Sequence, residues 1–112
     1  MSKRSENDLL QDISESIERI ISYTENVDYE QFKKDCKTQD AVLRNIEIMG
    51  EAVKLLPETM KLQYSNIPWK NIAGTRDKLI HDYFGVNIDI VWDIVLNEIP
   101  DLRLKIKNIP NR

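Results

Sequence analysis

Three residues in the second half of the chain carry side chains that do chemistry near neutral pH: Arg76, His81 and Tyr83. They stand in the run Arg76-Asp77-Lys78-Leu79-Ile80-His81-Asp82-Tyr83. An imidazole titrates close to neutrality, so it can give or take a proton. A guanidinium stays cationic and grips two phosphate oxygens in one fork. That pairing suits cleavage of a ribose phosphodiester. There a 2′-OH must lose a proton, the phosphorane charge must be stabilised, and the departing 5′-oxygen must gain a proton. No metal is needed for this, and none is expected. The chain has one histidine and one cysteine, so neither a cysteine-based zinc site nor a Ser-His-Asp triad is expected. A two-fold dimer would bring two copies of His81 together, one as base and one as acid.

On a helix, Trp69, Ile72, Ala73, Ile80 and Tyr83 share one face, and Arg76 falls in the middle of it. Arginine rarely enters a core unpaired, because burying its charge is costly. Two readings follow. Arg76 pairs with a carboxylate such as Glu47 or Glu51, or it faces an interface or cleft. His81 sits about 140° round from Arg76, so within one helix the two would flank a groove rather than share a face. A lone histidine also fits a satisfied structural role, and Tyr83 also fits a core aromatic. Trp69 and Trp92 read as core or dimer-interface anchors, with base stacking as a further role.

The elements that must hold this run read as helices. Glycine numbers 3 and proline 4 in 112 residues, and Asn-Gly and Asp-Gly turns are absent. A first helix is predicted over about 7–25, with Ser5 or Asn7 as cap and Ser5 and Asp8 as a capping box. Its apolar stripe is Leu9, Leu10, Ile13, Ile17, Ile20, Ile21 and Thr24, while Asp12, Glu15, Glu18 and Arg19 read as a solvated face. A short helix over 29–34 carries Phe32. Thr38 reads as the cap of a second long helix over about 39–56, with Ala41, Val42, Ile46, Met49, Ala52, Val53 and Leu56 inward. Gly50 inside it suggests the close approach of another backbone. One or two irregular turns follow over 57–64. Pro68 suits the first turn of the helix bearing Arg76, predicted over 68–83, and Gly85 is its stop signal. Asn87 or Asp89 caps the last helix, which continues to about Lys107 with a kink at Pro100. Four long amphipathic helices with short connections predict an all-α antiparallel bundle, as a single domain over 1–112 with its core at about 7–108.

Composition bounds the partners. The chain is 41% hydrophobic and 31% charged, which is a globular balance. Its net charge of −3 argues against a broad basic surface, so contacts to RNA must be local. Cys36 reads as a small, partly buried side chain in a reducing compartment. The first eight residues lack an apolar signal core, and no stretch approaches 18 apolar residues, so a cytoplasmic protein with no membrane contact is expected.

The run Arg76-x4-His81-x-Tyr83 resembles the Arg-x(4–6)-His motif of the HEPN superfamily, in the form found in HepT-like toxins. Further strings carry the likeness: Arg44-Asn45-Ile46-Glu47 leading into Gly50-Glu51-Ala52, then Ile67-Pro68-Trp69, then His81-Asp82-Tyr83-Phe84-Gly85, Val91-Trp92 and Asn97-Glu98-Ile99-Pro100. The resemblance spans about 9–106. It implies a HEPN-type bundle and a homodimer or higher oligomer whose Arg76 and His81 form a composite cleft. It implies a metal-independent endoribonuclease acting on tRNA or mRNA, without a cofactor, as the toxin of a type VII-like toxin–antitoxin system. The implied antitoxin is an MntA-like nucleotidyltransferase that transfers AMP from ATP to Tyr83, adding bulk and negative charge beside the cleft. Arg44 and Asn45 would border the site. Asn45 would hold a phosphate or orient His81, or else make an ordinary interhelical hydrogen bond. The other reading is a non-catalytic helical module that docks a nucleotidyltransferase and presents a substrate, which the acidic charge favours.

Overall fold

The computed structural model describes residues 4–80 and 87–110, except the side chains of residues 76–78 and 80. The helix α1 (Glu6–Thr24) begins at Ser5, whose hydroxyl accepts from the Asp8 amide while the Asp8 carboxylate accepts from the Ser5 amide. This reciprocal pairing satisfies two amides that a helix start leaves unpaired. Leu9, Leu10, Ile13, Ile17 and Ile20 are buried along one face, as the spacing predicts. Ser16 is buried with them. Asn26 takes a positive φ of 60° at the end of α1, a conformation asparagine tolerates better than most residues.

Asp28 and Gln31 form a second capping box that starts α2 (Tyr29–Lys34), the bounds predicted for the short helix. Helix α3 (Cys36–Leu55) begins earlier than its predicted cap. Asp35, not Thr38, is the N-cap: its carboxylate accepts from the Thr38 amide at 3.0 Å and the Thr38 hydroxyl at 2.6 Å. Those hydrogen bonds hold the Asp35 carboxyl below the usual carboxylate range. Asp35 also closes α2, its amide donating to Phe32. One residue thus ends one helix and starts the next, and Cys36, as the first residue of α3, is exposed rather than partly buried.

Helix α4 (Glu58–Gln63) is the regular form of the turns predicted after Pro57. Helix α5 (Trp69–Ile80) follows Pro68. The predicted continuation to Tyr83 and the Gly85 stop lie outside the described residues. Asn87, rather than Asp89, caps α6 (Ile88–Asp93), accepting from the amides of Asp89 and Ile90. A π-helical turn (Ile94–Glu98) then leads into α7 (Ile99–Lys107), with Pro100 in the first turn of α7. The expected kink at Pro100 is therefore a change of helix type just before it. Proline lacks an amide to donate backward, and the widened turn accommodates that loss. Leu104 faces solvent at 65% exposure, so the inward stripe there is Leu102 and Ile106 alone.

Among the described residues the architecture is an all-α helical bundle, as the spacing predicts. The long helix α3 packs against both α1 and α5, and α7 with the π turn closes onto α1. One apolar cluster joins them from Leu9 to Ile109. The charges of α1 are not merely solvated. Arg103 on α7 donates through Nε and Nη2 to the two Glu18 oxygens at 2.6 and 3.1 Å. That paired guanidinium holds the Glu18 carboxyl below the usual carboxylate range.

A carboxylate lowered in this way stabilises the fold above its unfolded pKa, about 4.3, and the contribution is lost as pH falls through the folded value. The side chains are 39% and 49% exposed, so solvent screening keeps the effect small. Glu18→Gln is expected to lower Tm slightly at pH 7 and to leave it unchanged near pH 2. An equal deficit at both pH values would exclude the ion pair as its cause.

Candidate active site

Helix α5 carries the arginine of the motif. Its first turn is pinned by Trp69, whose indole N–H donates to the carbonyls of Lys61 at 3.2 Å and Tyr64 at 3.1 Å. The ring is buried at 6% exposure, so Trp69 is a core anchor. A buried indole needs such a partner for its N–H. Ile72 and Leu79 are buried on the same helix. Position 76 lies four residues after Ile72 and three before Leu79, in register with the inward face. Leu79 was not part of the predicted stripe. Ile80, expected on the same stripe, has its side chain outside the described residues.

On the outer side of α5, Asn71 donates to Glu98 at 3.0 Å, tying the helix to the π turn. The position of α5 is thus set from both of its flanks, by apolar packing on α3 and by this hydrogen bond. The side chain of Arg76, and His81 and Tyr83 altogether, lie outside the described residues. So does any pairing of Arg76 with Glu47 or Glu51.

The two neighbours Arg44 and Asn45 part company. They are successive residues of α3 and so point about 100° apart. Arg44 is exposed, ion-pairs with Glu47 at 3.7 Å, and lines a groove of about 340 Å³ between α1 and α3. Asn45 is buried at 4% exposure and donates from Nδ2 to the Ala41 carbonyl at 2.8 Å. Among the described residues nothing donates to its Oδ1. Its hydrogen bond within α3 satisfies half of the side chain, and a buried amide oxygen left unpaired is costly. Asn45 therefore has an acceptor available inside the bundle, and Arg44 has none of that enclosure.

Trp92, on α6, is half-buried, 5.0 Å from the Phe32 ring and 6.3 Å from Tyr29. Tyr29 donates to Asp89, which holds the phenol above its usual range. These contacts are structural ties between α2 and α6.

A family model described as "Ribonuclease HepT-like" matches residues 13–109. The chain belongs to the HepT-like ribonuclease family. By class it is therefore an endoribonuclease. It is similar to the "Probable ribonuclease HepT" of Thermococcus cleftensis, at 46% identity over 107 residues, which covers 96% of this chain and 97% of that one. It is also similar to a "Putative RNase" of Methanocaldococcus jannaschii, at 48% identity over 101 residues, covering 90% of this chain and 84% of the other. A "Putative RNase" of Caldanaerobacter subterraneus is 46% identical over 100 residues, with 89% of each chain covered. No solved structure matches the chain. Among the described residues no helix is long and apolar enough to cross a membrane.

Proposed function

We propose that this HepT-like protein is the toxin of a type VII-like toxin–antitoxin pair, cleaving tRNA or mRNA without a metal through Arg76 and His81. The reading rests on one observation above all. Arg76 is built into a helix fixed on both flanks, in register with buried Ile72 and Leu79, and it opens the Arg76-x4-His81-x-Tyr83 motif of a chain in a ribonuclease family. An arginine at such a position needs an anionic partner, and a phosphate is one that its fork fits.

In the proposed reaction a neutral His81 imidazole takes the 2′-OH proton. The 2′-oxygen bonds to phosphorus, and Arg76 stabilises the charge on the phosphorane oxygens. The bond from phosphorus to the 5′-oxygen then breaks, and a protonated His81 from the second copy supplies the proton to that leaving oxygen. The products are a 2′,3′-cyclic phosphate and a 5′-hydroxyl. A homodimer supplies both histidines at one cleft. The buried Asn45, with Oδ1 unpaired among the described residues, is suited to orienting His81 by accepting its ring N–H. Exposed Arg44 is suited to holding a flanking phosphate.

An MntA-like nucleotidyltransferase neutralises the enzyme. The Tyr83 hydroxyl attacks the α-phosphorus of ATP, pyrophosphate leaves, and the tyrosine keeps an anionic adenylate beside the cleft. RNA phosphate is then repelled.

The test is cleavage of total tRNA by AMP-free protein in EDTA. Fragments ending in a cyclic phosphate are expected. Cleavage that appears only with added Mg²⁺ would overturn the mechanism, and intact RNA under both conditions would overturn the activity.

A further inference from the structure

The chain is acidic overall, yet one of its grooves is basic. Where the end of α3, α4 and the start of α5 meet, a depression of about 570 Å³ is rimmed by Lys54, Lys61 and Lys70, with Glu58 as the one carboxylate among its lining residues. By contrast, the groove between α1 and α3 sets Arg4 and Arg44 against Asp12, Glu47 and Glu51. The floor of the basic groove is apolar. Leu62 is 69% exposed there, and Pro68 and Ala73 continue the surface along α5. Its volume is that of a small-ligand site, roughly 300–1,000 Å³. The amino end of the 12-residue helix α5 opens onto it, adding partial positive charge to the three lysines.

The groove also leads somewhere. Ala73 lines it, and position 76 lies one turn further along the same helix, about 4.5 Å up the axis and about 60° round. The groove thus ends within one helical turn of the backbone position of the motif arginine.

We propose that this groove is an extended RNA subsite: it holds the single-stranded nucleotides that flank the cleaved bond, with phosphates on Lys54, Lys61 and Lys70 and bases against the apolar floor. The choice of RNA over a protein segment rests on charge. Three cations gathered on one groove of a chain with net charge −3 match a polyanion. The alternation of cationic rim and apolar floor matches a strand that alternates phosphate and base. The inference builds on the ribonuclease reading above, and gives the local cationic contact that an acidic ribonuclease needs.

The test uses the 112-residue protein and a fluorescent 12-nucleotide 2′-O-methyl RNA, which lacks the attacking hydroxyl. Lys61→Gln/Lys70→Gln is expected to weaken binding about tenfold at 50 mM salt. Each phosphate contact on a single strand contributes about −0.7 to the slope of log affinity against log salt, so the double variant should flatten that slope by about 1.4. The control, Lys33→Gln/Lys34→Gln at two exposed side chains of α2, removes the same charge elsewhere and should change neither quantity. Wild-type affinity and slope in the groove variant would overturn the subsite. So would unchanged RNA affinity with loss of the dimer or of a nucleotidyltransferase complex, which would make the groove a protein interface. Wild type that cleaves RNA beside an unaffected groove variant defeats this inference alone. Wild type that binds the oligonucleotide through the lysines but cleaves no RNA defeats the catalytic reading alone.

Discussion

Exchanging His81 for alanine is expected to lower the rate of RNA cleavage by about 10²- to 10⁴-fold, the usual worth of a positioned acid or base. In a two-fold site the exchange removes base and acid together, so the loss should fall toward the upper end of that range. KM should change far less than kcat, because the imidazole works on protons that move only in the transition state. The wild-type pH profile should be bell-shaped, since one histidine must be neutral while its counterpart is protonated. A rate that rises steadily to pH 9 would remove histidine from both roles. An unaltered His81→Ala rate would do the same, and would move the search to other residues of the motif.

Phe32→Ala should cost about 3–5 kcal/mol, a large part of the roughly 5–15 kcal/mol that holds a domain together. Phe32 is fully buried, although it belongs to a helix of six residues. Such a helix has little stability of its own, so α2 is held by what its one buried side chain touches. The ring packs against Trp92 at 5.0 Å, and α2 contacts both α3 and α6. Removing it leaves a cavity where three elements meet. Urea unfolding should show a lower midpoint with an unchanged slope. A loss below about 1 kcal/mol would mean that α2 contributes little to the bundle. Folded Phe32→Ala protein should still cleave RNA, because α2 is not part of the helix that bears the motif. The two substitutions thus separate chemistry from stability: His81→Ala should leave the midpoint where it is and remove the rate.

What the chain makes legible by itself are the features set by neighbours in sequence. The capping boxes of Ser5 with Asp8 and of Asp28 with Gln31 are local exchanges of side chain for backbone, each carried by residue types three apart. The apolar stripe of α1 follows from 3.6 residues per turn and survives into the folded core almost unchanged. The run from Arg76 to Tyr83 is readable for a similar reason: it resembles a family motif of fixed, short spacing. Family membership follows from strings of the same local kind.

Tertiary structure decided whatever depends on competition or on distant partners. Asp35 displaces Thr38 as cap because it also closes α2, a fact about two helices at once. Glu18 looks like a solvated charge until α7 brings Arg103 to it, 85 residues away in sequence. Arg44 and Asn45 are adjacent in the chain, but only the packing of α3 between α1 and α5 sends one to solvent and buries the other. Lys54, Lys61 and Lys70 lie on three helices and show no pattern along the chain. They form a cationic groove only because α4 folds across the junction of α3 and α5, and charges act through distance in space rather than separation in sequence.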